Sequence, residues 1–287
     1  MIMKTYRETY IRKAEIAQLI LLHQLYTQRG SRDLIFQGGT AIRWCYGGNR
    51  FSEDLDFVTP LDMGSIRASL KKAIQGAEKV MIPHFGIGTV QVSEKMSRST
   101  ALKCFVDFHP EKSREKISIK LEFERLAAGK LPERQNHILS ALPVVAYLIT
   151  SGDFRIPRPH AVLVAETPEE ILSDKVRSLL ERRYLKGRDL FDVWYLRSIM
   201  KTAVHPETVK KKFGMYLAPF TPKRSIDFFA VSSEENKKMM IEAIEQDLSR
   251  FLPPETLDVH RNESFAGFLD AIRSLFTDLK EKGVLLS

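Results

Sequence analysis

Cysteine is scarce: Cys45 and Cys104 are the only two in 287 residues, too few for a disulfide framework or a zinc site built on cysteine pairs. The seven histidines show no metal-ligand spacing, and no Ser or Cys stands in a nucleophile motif. No run of about eighteen apolar residues is present, which argues against a membrane span. The first residues carry charge straight into an amphipathic segment, without the apolar core and cleavage site of a signal peptide. Gly86-Ile-Gly88 lacks the third glycine of a dinucleotide fingerprint. Internal repeats and low-complexity tracts are also missing. These absences leave a soluble, reduced, cytoplasmic protein as the expectation.

Positive charge is in surplus: 44 Lys and Arg against 36 Asp and Glu give a formal net charge of +8. That balance favours acidic partners such as nucleotides or RNA. The basic clusters at Lys112–Lys116, Arg177–Arg188, Lys210–Lys212 and Lys237-Lys238 suit such a partner, and each equally suits a solvated helix face.

The periodicities predict an α+β fold in two lobes. A helix over about 4–28 precedes a short buried strand at 34–36. A helix over 40–46 and a strand over 51–58 come next. A further helix over 65–80 leads to strands at 89–92, 103–108 and 117–123. Thr150-Ser-Gly-Asp and Ile156-Pro-Arg-Pro break the pattern, and one more short strand lies at 161–164. Helices are then expected at 168–184, 188–200, 206–216, 234–251 and 264–281. Thr167-Pro168-Glu169-Glu170 supplies a helix start with a Thr cap and Pro in the first turn. The boundary is drawn at 155/156, between a mixed-sheet domain over 1–155 and a mainly helical domain over 156–287. Trp44 and Trp194 fall on predicted helices and read as core.

The densest chemical signal is Phe36-Gln-Gly-Gly-Thr-Ala-Ile-Arg-Trp-Cys-Tyr-Gly-Gly-Asn-Arg-Phe-Ser-Glu-Asp-Leu-Asp-Phe57. Gly38 and Gly39 let backbone N–H groups approach a phosphate unobstructed. In a strand, Asp54 and Asp56 share one face and Leu55 and Phe57 the other. Two converging carboxylates call for a cation, and hard oxygens suit Mg²⁺. A third acid is best drawn from Lys120-Leu-Glu-Phe-Glu124, where Lys120, Glu122 and Glu124 share a strand face. The alternating charges also fit a solvated edge strand. In the helix after Thr167, Lys175 falls inside the apolar arc of Ile171, Leu172, Val176, Leu179 and Leu180, so it must snorkel or meet an anion.

The glycine pair followed by two acids on a strand resembles the first motif of the DNA polymerase β-like nucleotidyltransferase superfamily. More narrowly, Gly-Gly-Thr with Arg-Phe-Ser-Glu-Asp-Leu-Asp-Phe is similar to the AbiEii/AbiGii nucleotidyltransferase toxins. Lys120-Leu121-Glu122 resembles that family's Lys-x-acid strand. Glu-Glu-Ile-Leu-x-x-Lys-x-x-x-Leu with Arg188-Asp-Leu-Phe-Asp192 resembles its last two motifs. The resemblance implies a nucleotidyltransferase-like sheet lobe and a helical bundle lobe closing over a cleft. It also implies Mg²⁺-dependent transfer of NMP from an NTP to an acceptor hydroxyl. Asp54 and Asp56 would bind metal. Glu122 would act as third ligand or base, Lys175 would contact the triphosphate as one of the catalytic residues, and Asp189 would complete the catalytic set. Gly38, Gly39, Thr40, Lys120, Arg50, Ser52 and Asp192 would contact nucleotide or phosphate.

Arg50 also fits an ordinary turn arginine, Asp189 a first-turn helix acid, and Asp192 can exchange roles with Asp189. Arg182, Arg183 and Arg188 suit either an RNA backbone or the surface. A toxin–antitoxin or abortive-infection setting follows from the resemblance, with a cognate antitoxin protein and a tRNA 3′ end as acceptor. Nucleotidylation of protein or of a small molecule, and a non-catalytic NTP- or RNA-binding module, are the alternatives.

Overall fold

The computed structural model describes residues 6–156, 159–231 and 233–284. Residues 4 and 5 of the first expected helix, and Pro157-Arg158 of the expected break, lie outside them. The contacts divide the chain into two compact units. One comprises Glu8–Gly47 and Ser52–Glu166; the other takes, among the described residues, Tyr6 and Arg7, Gly48–Phe51 and the chain from Thr167 onward. No helix among the described residues is long and apolar enough to cross a membrane.

The first unit runs α1 (Glu8–Tyr26), β1 (Ile35–Gln37), α2 (Gly38–Cys45), β2 (Asp54–Thr59), α3 (Met63–Phe85), β3 (Gly88–Ser97), β4 (Ala101–Pro110), β5 (Ile117–Arg125), β6 (Arg134–Ile138), α4 (Pro143–Thr150) and β7 (Val162–Glu166). The seven strands form one sheet in the order β3-β4-β5-β2-β1-β7-β6. It is mixed, because β2 pairs with β5 and β1 with β7 in parallel, while the other neighbours are antiparallel. Strict alternation in β5 buries Ile117, Ile119, Leu121 and Phe123. The Phe57 ring stacks on Phe123 at 5.1 Å and meets Phe36 at 5.4 Å, which fixes the sheet centre. Trp44 is buried, its indole N–H donating to Gln18 Oε1 at 3.3 Å, so it is a core residue.

Several elements depart from the sequence expectation for local reasons. Helix α3 begins at Met63 because the Asp62 carboxylate accepts the Gly64 and Ser65 amides at 2.8 and 3.0 Å. It runs past Pro83 and stops where Gly86 turns to φ 89°. Strand β6, Arg-Gln-Asn-His-Ile, is mostly exposed and has no apolar alternation; only its ladder with β7 makes it a strand. Because β7 pairs with both β1 and β6, the sheet unit extends to Glu166, eleven residues past the boundary drawn at 155/156.

The second unit holds α5 (Pro168–Glu181), α6 (Gly187–Trp194) continued by a π-helical turn (Tyr195–Ile199), α7 (Pro206–Phe213), α8 (Asp227–Ala230), α9 (Glu234–Leu248), α10 (Pro254–Asn262) and α11 (Ala266–Glu281). Thr167 caps α5 with Pro168 behind it, and Ile171, Leu172, Val176, Leu179 and Leu180 are all buried. Trp194 packs on Phe191 and Phe268, with ring centres 5.2 and 4.8 Å away. The start of α6 lies against α9 so closely that a Cβ on Gly187 would stand 2.3 Å from the Ala243 carbonyl oxygen. Gly48–Phe51 joins this unit through the Phe51 amide, which donates to the Phe251 carbonyl at 2.9 Å.

Candidate active site

The pleat of β2 turns Leu55 and Phe57 into the core and leaves Asp54 and Asp56 half-buried on the opposite face. Parallel pairing sets Asp54 beside Lys120 and Asp56 beside Glu122, and on the other side β1 sets Gln37 beside Asp56. Carboxylate oxygens of Asp54, Asp56 and Glu122 therefore lie within 4.8 Å of one another. The three offer hard anionic donors from two adjacent strands, a set that fits a divalent cation such as Mg²⁺.

Lys120 is held among these acids, its Nζ 2.7 Å from Asp54 Oδ2 and 2.7 Å from Glu122 Oε1. Burial works against its ammonium form, but Asp54 and Glu122 outweigh burial and raise its pKa. Burial pushes the Glu122 carboxyl up; hydrogen bonds from Lys103 and Lys120 overcome this and hold it below the usual carboxylate range. Lys103, which the sequence reading did not single out, reaches Glu122 because β4 and β5 pair them directly. Its signal was present in the alternation of β4, where Leu102, Cys104, Val106 and Phe108 face inward and Lys103 faces outward. Only the hairpin register says which acid it meets.

The glycine pair opens α2 directly after β1. Gly38 sits at φ 77°, and a Cβ there would stand 2.9 Å from Asp56 Oδ2. The position favours glycine for its left-handed backbone, and a side chain there would displace the Asp56 carboxylate. Gly39 follows in the first turn of α2. Thr40 is buried, and its hydroxyl donates to the Asp54 carbonyl, tying α2 to the acidic strand. The Ser52 side chain is buried, and its carbonyl accepts the Gln18 amide at 2.6 Å.

The helical unit gathers the remaining predicted residues into one ion network. Lys175 Nζ lies 2.8 Å from Asp189 Oδ1 and 2.7 Å from Asp192 Oδ2. Arg50 grips Asp192 with two hydrogen bonds, Nε to Oδ1 at 2.7 Å and Nη2 to Oδ2 at 2.6 Å. Arg182 approaches Asp189 at 3.1 Å. Side chains of Arg50, Lys175, Asp189 and Asp192 are each at most 9% exposed, so the network is enclosed. Burial opposes charge on both aspartates, yet Arg182 and Lys175 at Asp189, and Arg50 and Lys175 at Asp192, hold both carboxyls below their ordinary range. Asp174, on α5 as well, belongs to a second network with Lys212, which also pairs with Glu170 at 2.8 Å.

Comparison with known proteins agrees with this architecture. A search of curated protein sequences gave no match. Among solved structures, a candidate nucleotidyltransferase from H. pylori superposes with TM-score 0.56 at 16% identity, covering 96% of this chain and 98% of that one. JHP933 from Helicobacter pylori gives TM-score 0.56 at 16% identity, over 97% and 96% of the two chains. At that identity the likeness speaks for the fold. The profile of the family described as "Nucleotidyl transferase AbiEii toxin, Type IV TA system" matches residues 20–271. By that match, which spans both the acidic strands and the Lys175 network, the chain belongs to the AbiEii nucleotidyltransferase toxin family.

Proposed function

We propose that the protein is the toxin of a toxin–antitoxin pair and transfers a nucleoside monophosphate from an NTP to an acceptor hydroxyl, releasing pyrophosphate. The observation that carries this reading is the convergence of Asp54, Asp56 and Glu122 beside a left-handed glycine, where a side chain would push the Asp56 carboxylate aside. These three residues would hold Mg²⁺, which when bound would neutralise phosphoryl charge as a Lewis acid. Gly38 and Gly39 present backbone at the start of α2, where a phosphate tail approaches unobstructed. Lys120 supplies a cation to that tail, and Thr40 fixes the glycine turn to the acidic strand. The lowered pKa of Glu122 makes it a weak proton acceptor, which suits it to bind a cation rather than to act as a general base.

Lys175 and Asp189 are assigned a positioning role, since both are already committed within the enclosed network with Asp192 and Arg50. The family membership supports a cognate antitoxin as protein partner. The acceptor in this reading is RNA, specifically a tRNA 3′ end, in keeping with the net charge of +8. The test is transfer of label from α-³²P NTPs, with Mg²⁺, into total bacterial RNA and protein. Label in a tRNA-sized band that is missing with the Asp54→Ala, Asp56→Ala double variant is the expected result. Label unaffected by the double substitution would remove this site from the reaction, and label in protein alone would move the acceptor to protein.

A further inference from the structure

Away from the acidic strands, the sheet unit carries a cavity of about 770 Å³ beside the last turn of α1 and the β7–β6 edge. Its charged lining is Arg32 and Arg134, beside the imidazoles of His23 and His160 and the phenol of Tyr26, with no carboxylate among the described lining residues. Asp33 and Glu133 are their neighbours in sequence but do not line it. This differs from the two ion networks of the candidate site, where Lys120 is met by Asp54 and Lys175 by Asp189. The guanidinium groups of Arg32 and Arg134 make no ion pair or hydrogen bond among the described residues. His23 adds a buried ring nitrogen, Nδ1, with no hydrogen-bond partner.

The donors of the lining come from separate elements, with Arg32, Arg134 and Asn136 all exposed to an incoming ligand. Arg134 and Asn136 stand two apart on β6, so they project from the same face of the edge strand. Arg32 comes from the short turn after α1, so the two guanidinium groups belong to separate elements that the fold brings to one cavity. Paired arginines with imidazole and amide donors match the many acceptor oxygens of a phosphate group. The volume lies within the range of ordinary ligand pockets.

We propose that this cavity is a phosphate-binding site, separate from the carboxylate cluster, that takes a phosphate group of an RNA backbone or of a free polyphosphate. The two sources share the recognition chemistry and are separated by experiment. Binding of a fluorescent single-stranded RNA oligonucleotide and of inorganic tripolyphosphate is measured in EDTA, so that nucleotide transfer plays no part in the readout. The whole chain is compared with Arg32→Ala/Arg134→Ala and with a charge-matched control, Arg98→Ala/Arg114→Ala.

If RNA is the source, the Arg32/Arg134 variant binds the oligonucleotide about tenfold more weakly, and its salt slope falls by about 1.4, the value for two lost contacts to a single strand. The control then changes little. If a free polyphosphate is the source, the same pattern appears with tripolyphosphate instead. Equal losses in both variants would reduce the effect to net charge and overturn the site, as would absence of binding by the whole chain to either ligand. Circular dichroism melting of each variant confirms that folding is retained.

Discussion

At the residue scale, the enclosed Lys175 network answers to substitution and to acid in ways that unfolding experiments can read. Lys175 is enclosed with two aspartates, so Lys175→Met leaves buried carboxylates short of a cation and costs about 3–5 kcal/mol, read as a fall in the urea midpoint. Lys175→Arg keeps the charge and recovers part of that loss. If Lys175 only positions Asp189 and Asp192, the KM for NTP in the Arg variant stays near the parent value; a direct phosphate contact would raise it. Acid has its own signature. Asp189 and Asp192 have folded pKa values below their unfolded value of about 4. Their contribution is complete above that value and is lost as pH falls through the lower, folded ones. The helical unit is therefore expected to lose stability below about pH 4, and Asp189→Asn/Asp192→Asn, though less stable at neutral pH, should show a flatter acid limb in pH-dependent melts. Gly38→Ala forces a left-handed backbone on a side chain at about 1–2 kcal/mol and turns the Asp56 carboxylate aside. Transfer activity should fall further than stability does.

At the element scale, close packing decides which helices tolerate change. A Cβ on Gly187 would stand 2.3 and 2.5 Å from backbone atoms of α9, which cannot swing away as a side chain can. Gly187→Ala is expected to destabilise by about 1–3 kcal/mol, measurable by denaturant unfolding, without any direct effect on the acidic strands. The same scale explains what the sequence disclosed. The period of two in Asp54-Leu-Asp-Phe57 was enough to place both carboxylates on one face, while the position of Lys175 inside an apolar arc left snorkelling or an anion open, and the anions are Asp189 and Asp192. Strand β6 and helix α10 escaped notice because their residues are largely polar and exposed; their neighbours, not their own patterning, hold them. Lys103 escaped because a strand face can be read locally while a cross-strand partner cannot.

At the scale of the whole molecule, the chain is interleaved rather than cut once. Gly48–Phe51 belongs with the helices although sheet residues flank it on both sides. Breaks of composition mark a domain boundary but carry no sign of a four-residue excursion whose partners lie far along the chain. A fragment ending at Glu166 would lose both Asp192 and the Phe251 carbonyl, the partners of Arg50 and Phe51. The Phe51 amide should be protected from hydrogen exchange in the full chain and exchange freely in that fragment, a comparison NMR can make directly. Protection retained in the fragment would mean that Phe51 finds another acceptor.

The clasp between Arg50 and Asp192 joins residues 142 positions apart. Contacts of that span form late, since a long loop must close before they repay its entropy. On the ribosome, where domains form as their residues emerge, the acidic strand leaves the exit tunnel long before the turn that leads into it can find its partner. The nascent chain would thus hold its carboxylates early and anchor Arg50 only once α6 has been made, so this turn should be among the last parts of the molecule to become protected.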